Sequence, residues 1–156
     1  MQTELGLIEI QDDGAAITAL RFVHQGEAQS PQTPLQALAA RQIAEYLAGK
    51  RKRFELPLAP QGTAFQQAVW QALLAIPYGE TLSYGQLAAR LGSPKAARAV
   101  GSANGRNPIA LVIPCHRVIE TSGGLGGYAY GLPIKRALLS LEGSLPWGSR
   151  RPSPSV

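Results

Sequence analysis

Ile109-Ala110-Leu111-Val112-Ile113-Pro114-Cys115-His116-Arg117-Val118 joins a five-residue apolar run to a proline, a cysteine and a histidine. Cys115 is the single cysteine of the 156-residue chain, so no disulfide can form within it. The alternative is a lone reactive thiol, with the backbone fixed by proline before the sulfur and an imidazole after it. An unperturbed thiol titrates near about 8.5 and burial raises it, so attack on an electrophile requires a base. His116 is the only histidine close by, since His24 lies far upstream. Adjacent side chains seldom point at one another, so direct contact and a bridging water both stay open. The histidine in turn needs an acceptor to set its tautomer. Glu142, closing an otherwise apolar helical pattern, is the candidate; ordinary surface charge is the other reading.

Charge is divided unevenly around this motif. Residues 1–58 hold six Lys/Arg and seven Asp/Glu, whereas residues 59–156 hold nine Lys/Arg and only Glu80, Glu120 and Glu142. The basic excess lies entirely in the half with the cysteine, which suits a phosphate backbone as well as a solvated face. No apolar stretch approaches the ~20 residues of a membrane span. The start, Met1-Gln2-Thr3-Glu4, lacks a signal-peptide layout. With one cysteine, the expectation is a cytoplasmic protein with no membrane partner.

Outward from the motif, the pattern predicts a mixed α/β (α+β) chain. A small N-terminal lobe, 1–58, has strands at Leu7–Ile10 and Ile17–Val23 around an Asp12-Asp13-Gly14 turn. A helix follows from Pro34, capped by Thr33 and ended by Gly49, with Leu35, Leu38, Ile43, Tyr46 and Leu47 on one face. Lys50-Arg51-Lys52-Arg53 reads as a solvated helix exit or a phosphate contact. Leu56–Gln61 reads as a linker. Residues 59–145 form a mainly helical second lobe, and 146–156 a disordered tail. Thr63-Ala64-Phe65-Gln66 is a capping box opening a helix over 64–76, with Phe65, Val69, Leu73 and Leu74 as its apolar face and Trp70 alongside. Ser83-Tyr84-Gly85-Gln86 opens a short helix ending near Gly92, and Ser93-Pro94 caps another over 94–104. That pair makes a helix-turn-helix. The second helix carries Ala96, Ala97, Ala99, Gly101, Ser102 and Ala103 with Arg98, small residues suited to packing on a helix or lying in a groove. Gly124-Leu125-Gly126 with Ala129 superficially fits a dinucleotide fingerprint, but no βαβ unit surrounds it. A turned active-site loop walled by Tyr128 and Tyr130 is expected instead, followed by a helix from Pro133 to Glu142.

Five stretches then carry a family resemblance: Ile76–Ala88, Pro94–Gly101, Asn107-Pro108, Ile113–Val118 and Gly126–Ala129. Together they closely resemble the O6-alkylguanine-DNA alkyltransferases, or methylated-DNA–protein-cysteine methyltransferases. The match covers about residues 60–143; the N-terminal lobe resembles the family loosely, through Thr3-Glu4-Leu5-Gly6. The resemblance implies DNA repair by one irreversible transfer of an alkyl group from O6-alkylguanine in double-stranded DNA to Cys115; whether O4-alkylthymine is also accepted stays open. His116 would deprotonate the thiol through a water, Glu142 would orient His116, and Asn107, in the turn before a cysteine-bearing strand, would brace the segment. Tyr84 would help rotate the nucleotide and protonate the departing guanine. Tyr128, Gly126, Gly127 and Ala129 would wall the guanine pocket. Ser83, Arg98, Ala96, Ala97, Gly101 and Ser102 would meet DNA in the minor groove, Arg98 filling the stack left by the flipped base. It implies a monomer with no cofactor. The zinc-binding set of some relatives is absent from the N-terminal lobe, so no metal is expected. Tyr130 is bulky where several relatives are small, which disfavours benzylated substrates. A lesion sensor that only binds alkylated DNA, and a helix-turn-helix regulator with a packing cysteine, are the competing readings.

Overall fold

A computed structural model of the chain describes residues 1–144; the tail expected at 146–156 lies outside them. Strands β1 (Gln2–Thr3), β2 (Gly6–Asp12) and β3 (Ile17–Val23) form an antiparallel sheet in the order β1-β2-β3. The β2–β3 turn closes on aspartates. Asp13 accepts from the N–H groups of Ala15 and Ala16, and Asp12 from that of Gly14. Helix α1 (Pro34–Leu47) starts as expected, with Thr33 Oγ1 accepting from the Gln36 N–H at 3.0 Å and proline in the first turn. It buries Ala39, Gln42, Ile43 and Tyr46.

The outer edge of β3 is the seam of the molecule. Ile17 exchanges hydrogen bonds with Pro57 and Ala59, and Leu20 with Pro108 and Ala110, all at 2.8–2.9 Å. The stretch expected as a linker, 56–61, is therefore stitched to the sheet. The apolar run before the cysteine is no strand either. After the single bridge at Ile109 the chain coils through Ala110–Ile113 as buried turns, with Leu111 at φ +69°. Pro108 and Pro114 bracket the run without N–H donors, which keeps a ladder from propagating.

The remaining elements are helices α2 (Ala64–Leu74), α3 (Tyr84–Arg90), α4 (Ala97–Gly105) and α5 (Leu132–Leu141), with short parallel strands β4 (Leu82–Ser83) and β5 (Val118–Ile119). Both capping boxes form: Thr63 with Gln66, and Ser83 with Gln86. Three helices differ from expectation in their bounds. Helix α2 stops at Leu74 because Ala75 and Ile76 tighten into three-residue turns ahead of Pro77. The α3–α4 turn enters α4 through a 3-10 segment, Pro94–Ala96, and Ser93 offers its carbonyl to Ala96 rather than its side chain. Helix α5 starts and ends one residue earlier than expected, with Glu142 just past its end and Gly143 stopping it at φ +76°. The apolar face of α2 also differs: Val69, Trp70 and Leu73 are buried, while Phe65 and Leu74 are 41% and 40% exposed. The bulky indole occupies the inner position, which turns those two outward.

Ile8, Leu20 and Tyr46 from the first half share one hydrophobic core with Trp70, Leu87, Cys115 and Leu138 from the second. Trp70 is buried within the second half, its Nε1–H donating to the Ala103 carbonyl at 2.9 Å. A Cβ at Gly62 would fall 2.4 Å from the indole, so the chain passes directly over it. Trp70→Phe should lower unfolding free energy by about 2 kcal/mol, from a lost hydrogen bond plus a partial cavity, as read from urea denaturation midpoints.

Candidate active site

Cys115 sits in a 3-10 turn, Cys115–Arg117, and is 4% exposed. Asn107 builds this turn from outside it. Its Nδ2 donates to the Ile113 carbonyl at 2.8 Å and its Oδ1 accepts from Ile109 N–H at 3.0 Å, closing the loop that carries the cysteine. From α4, Asn104 Nδ2 approaches the Cys115 carbonyl at 3.4 Å. Burial pushes the thiol up; hydrogen bonding from Asn107, the Lys135 charge and Tyr128 act against it.

His116 is fully buried and holds Glu142 Oε2 through Nε2 at 2.8 Å, while its Nδ1 has no protein partner. Burial lowers the imidazole pKa and outweighs the opposing pull of Glu142. The ring is therefore neutral near pH 7, with its proton on Nε2 and an open lone pair on Nδ1. Glu142 is no surface charge. Its carboxylate accepts from the Tyr46 hydroxyl (2.5 Å), His116 Nε2, Arg117 Nε (2.8 Å) and Arg117 Nη2 (2.9 Å). Burial opposes its ionisation, but the bonds from His116 and Arg117 prevail and hold it at about 2. Arg117 also donates through Nη1 to the Ile76 carbonyl at 2.6 Å, tying the exit of α2 to the same carboxylate.

A cavity of about 220 Å³ opens onto the sulfur, lined by Tyr84, Gly101, Asn104, Gly105, Asn107, Cys115, Gly127, Tyr128, Ala129 and Tyr130. Tyr128 meets Tyr130 edge-on at 5.6 Å, and Phe22 of β3 backs Tyr130 at 5.3 Å. Gly126 stands outside the lining. At φ +73° a Cβ there would press to 3.2 Å on the Tyr84 ring, so its bareness lets the loop close over that ring. A larger cleft of about 440 Å³ between β2 and the 25–32 loop contains none of these groups. Among the described residues no three His, Cys, Asp or Glu side chains gather to hold a metal ion.

The expected DNA-contacting residues divide by face. Arg98 and Ser102 are exposed on α4, whereas Ala96, Ala97 and Gly101 are half-buried, Gly101 sitting close to the Tyr84 ring. Ser83 has its hydroxyl engaged as the α3 cap. Lys50–Arg53 is an ordinary helix exit in part: Arg51 pairs with Glu45 and Glu55, while Lys52 lies over the Tyr78 ring.

Three polar residues of the site lacked an assigned role in the sequence. In the sequence Tyr46 reads only as an apolar face position and Arg117 only as part of a motif. Lys135, fully buried on α5, donates to the carbonyls of Val118 (2.7 Å), Leu125 (2.5 Å) and Gly127 (3.0 Å), which clips the glycine loop to β5. Burial lowers its pKa to about 8, with the thiol and Glu120 opposing. The available signal was a lysine among Ile134, Leu138 and Leu141 on an apolar helix face.

Residues 64–144 match the family model for the 6-O-methylguanine DNA methyltransferase DNA-binding domain, and residues 1–60 match the ribonuclease-like domain of the same enzyme. The chain belongs to the 6-O-methylguanine DNA methyltransferase family. The methylated-DNA–protein-cysteine methyltransferase of Mycobacterium tuberculosis is 47% identical over 149 residues, spanning 92% of this chain and 90% of its own. That of Methanosarcina acetivorans is 60% identical over 106 residues, 68% of either chain. Among solved structures, Mycobacterium tuberculosis OGT in complex with DNA superposes with a TM-score of 0.85 at 47% identity, covering 92% of this chain and 91% of that one. The Methanococcus jannaschii O6-methylguanine DNA methyltransferase gives 0.70 at 28% identity, covering 100% and 99%. As in that family, the present methyltransferase combines a small sheet-containing N-terminal region with a mainly helical C-terminal one.

The buried pair makes stability depend on pH in a defined way. His116 has a folded pKa below its unfolded value, so the unfolded chain takes up a proton first, and stability falls as pH drops through about 6.5. Glu142 has a depressed folded pKa, so its contribution is complete above about 4.5 and is lost as pH falls toward about 2. Urea midpoints measured from pH 8 to pH 3 should decline across both windows, and Glu142→Gln should flatten the lower one.

Proposed function

We propose that this methyltransferase repairs DNA directly, moving the alkyl group of O6-alkylguanine to Cys115 once and irreversibly. The observation that carries the reading is a neutral, buried His116 with Nδ1 open, adjacent to a buried thiol that faces a cavity behind a helix-turn-helix. A base with the opposite tautomer could not accept the thiol proton.

In the proposed reaction a water relays the Cys115 proton to His116 Nδ1, and the imidazolium is stabilised by the ionised Glu142. The thiolate attacks the alkyl carbon; the S–C bond forms as the C–O6 bond breaks. The electron pair stays with the purine, whose carbonyl re-forms as Tyr84 donates a proton to the ring nitrogen and recovers one from solvent. The thioether product has no leaving route, so each molecule acts once. The O6 substituent of a stacked base cannot reach an enclosed sulfur, so the nucleotide swings out of the duplex. Arg98 and Ser102 on the open face of α4, with the small residues beside them, suit a minor-groove approach that reads little sequence. The protein acts as a monomer on double-stranded DNA, with O6-methylguanine the default lesion and O4-alkylthymine a second.

Intact-mass spectrometry after stoichiometric incubation with an O6-methylguanine duplex should show a gain of one methyl, mapped to the Cys115 peptide and absent in Cys115→Ala. Damage-selective binding with no mass gain would leave a lesion sensor instead. Tyr130, braced by Phe22 against the cavity, should keep bulky adducts out. Tyr130→Gly should therefore raise the rate with O6-benzylguanine by about tenfold or more relative to O6-methylguanine DNA, roughly the value of relieving 1–3 kcal/mol of steric conflict.

A further inference from the structure

Helix α1 of the N-terminal half sends one polar group into the active centre. Tyr46 is fully buried, and its hydroxyl reaches Glu142 Oε2 at 2.5 Å across 96 positions of sequence. Its ring is packed by Phe54 at 5.2 Å and meets Tyr78 edge-on at 6.2 Å, so the hydroxyl has one direction. Burial, and then the Glu142 charge, push the phenol far above its ordinary range, so it remains a donor throughout the pH range of the protein. Packing alone would be served by phenylalanine.

A carboxylate offers roughly four acceptor sites. Here four donors converge on them unevenly: Tyr46, His116 Nε2 and Arg117 Nη2 share Oε2, while Arg117 Nε alone meets Oε1. Arg117 spans both oxygens and Tyr46 presses on the one that holds His116, so the ionised group is kept against the imidazole without taking its proton. Take away the phenol and Oε2, the oxygen that holds the imidazole, loses its one donor from the N-terminal half and is free to settle toward Arg117, which shifts the His116 ring with it. We infer that Tyr46 is a positioning residue for alkyl transfer, by which the N-terminal half fixes the carboxylate that orients His116 and so sets the reactivity of Cys115. The inference rests on the alkyl-transfer reading of the site.

The test is Tyr46→Phe, which keeps the ring and removes the hydroxyl. At saturating O6-methylguanine duplex, the first-order rate constant for methylation of Cys115 should fall about tenfold, the scale of a misoriented general base, with Kd for that duplex unchanged. Alkylation of Cys115 by iodoacetamide, which involves no DNA, should slow in parallel. Phe54→Leu loosens the same ring without touching the hydroxyl; it should lower the urea midpoint and leave both rates intact. Wild-type rates in Tyr46→Phe, a change confined to Kd, or equal slowing in Phe54→Leu would each overturn the inference. If the wild-type protein left the alkylated duplex unreacted, the alkyl-transfer reading would fall, and the iodoacetamide comparison would still decide the role of Tyr46.

Discussion

An ionised carboxylate inside a protein costs several kcal/mol unless its lone pairs are met, and Glu142 adds a second cost by sitting at the C-terminal end of α5, where the helix dipole repels an anion. The architecture answers both costs with donors drawn from separate parts of the chain. Tyr46 comes from α1, while His116 and Arg117 come from the turn after Pro114. Arg117 extends the network to the Ile76 carbonyl beyond α2. Each donor is in position only if its own element is docked. The charge therefore specifies how α1, α2, the cysteine turn and α5 sit together, in a way apolar packing among leucines would not.

The chemistry follows from the same constraint. A carboxylate supplied with strong donors stays ionised, so it keeps the His116 proton on Nε2 and leaves Nδ1 bare. Seven residues earlier on α5, Lys135 has the inverse problem, an ammonium removed from water. It is met by three carbonyls, of which two belong to the glycine loop. Two turns of one helix thus hold an anion that sets the base and a cation that sets the wall of the cavity. Lys135 favours ionisation of the thiol directly, while Glu142 raises the proton affinity of the imidazole beside it.

What could be read in the sequence was local. Thr63/Gln66 and Ser83/Gln86 declare their helix starts because a capping box is complete within four residues, and Gly143 declares a stop by its permitted positive φ. Cys115, His116 and Asn107 were recoverable because they lie within nine positions of one another. Glu142 was reachable as the only acid on an apolar helix. Tyr46 was not, since its hydroxyl matters only to a partner 96 residues on, and a buried tyrosine in a helix reads as core. The run Ile109–Ile113 misled for the opposite reason: β-branched and apolar residues suggest a strand, while the prolines at both ends allow one bridge only. Phe65 and Leu74 misled because helical period gives a wide apolar arc and says nothing about which part of it an indole will claim.

The seam along β3 explains why the two halves behave as one site. Its outer edge holds Pro57–Ala59 at one end and Pro108–Ala110 at the other, so the same strand registers the end of the N-terminal half and the approach to the cysteine. Phe22, two residues beyond Leu20 on that strand, backs Tyr130 at the cavity wall. On the far side, the parallel pairing of Leu82–Ser83 with Val118–Ile119 fastens the start of α3 to the residues directly after the motif, which puts Tyr84 at the cavity mouth. Helix α4 then has one face on the Cys115 carbonyl through Asn104 and the other open to solvent through Arg98 and Ser102. A helix is about 10 Å across, so on the proposed reading the duplex lies one helix thickness from the sulfur. That gap exceeds what a stacked base can bridge and matches what an extruded one can. On that reading the position of α4, as much as the chemistry of the lesion, would call for base extrusion.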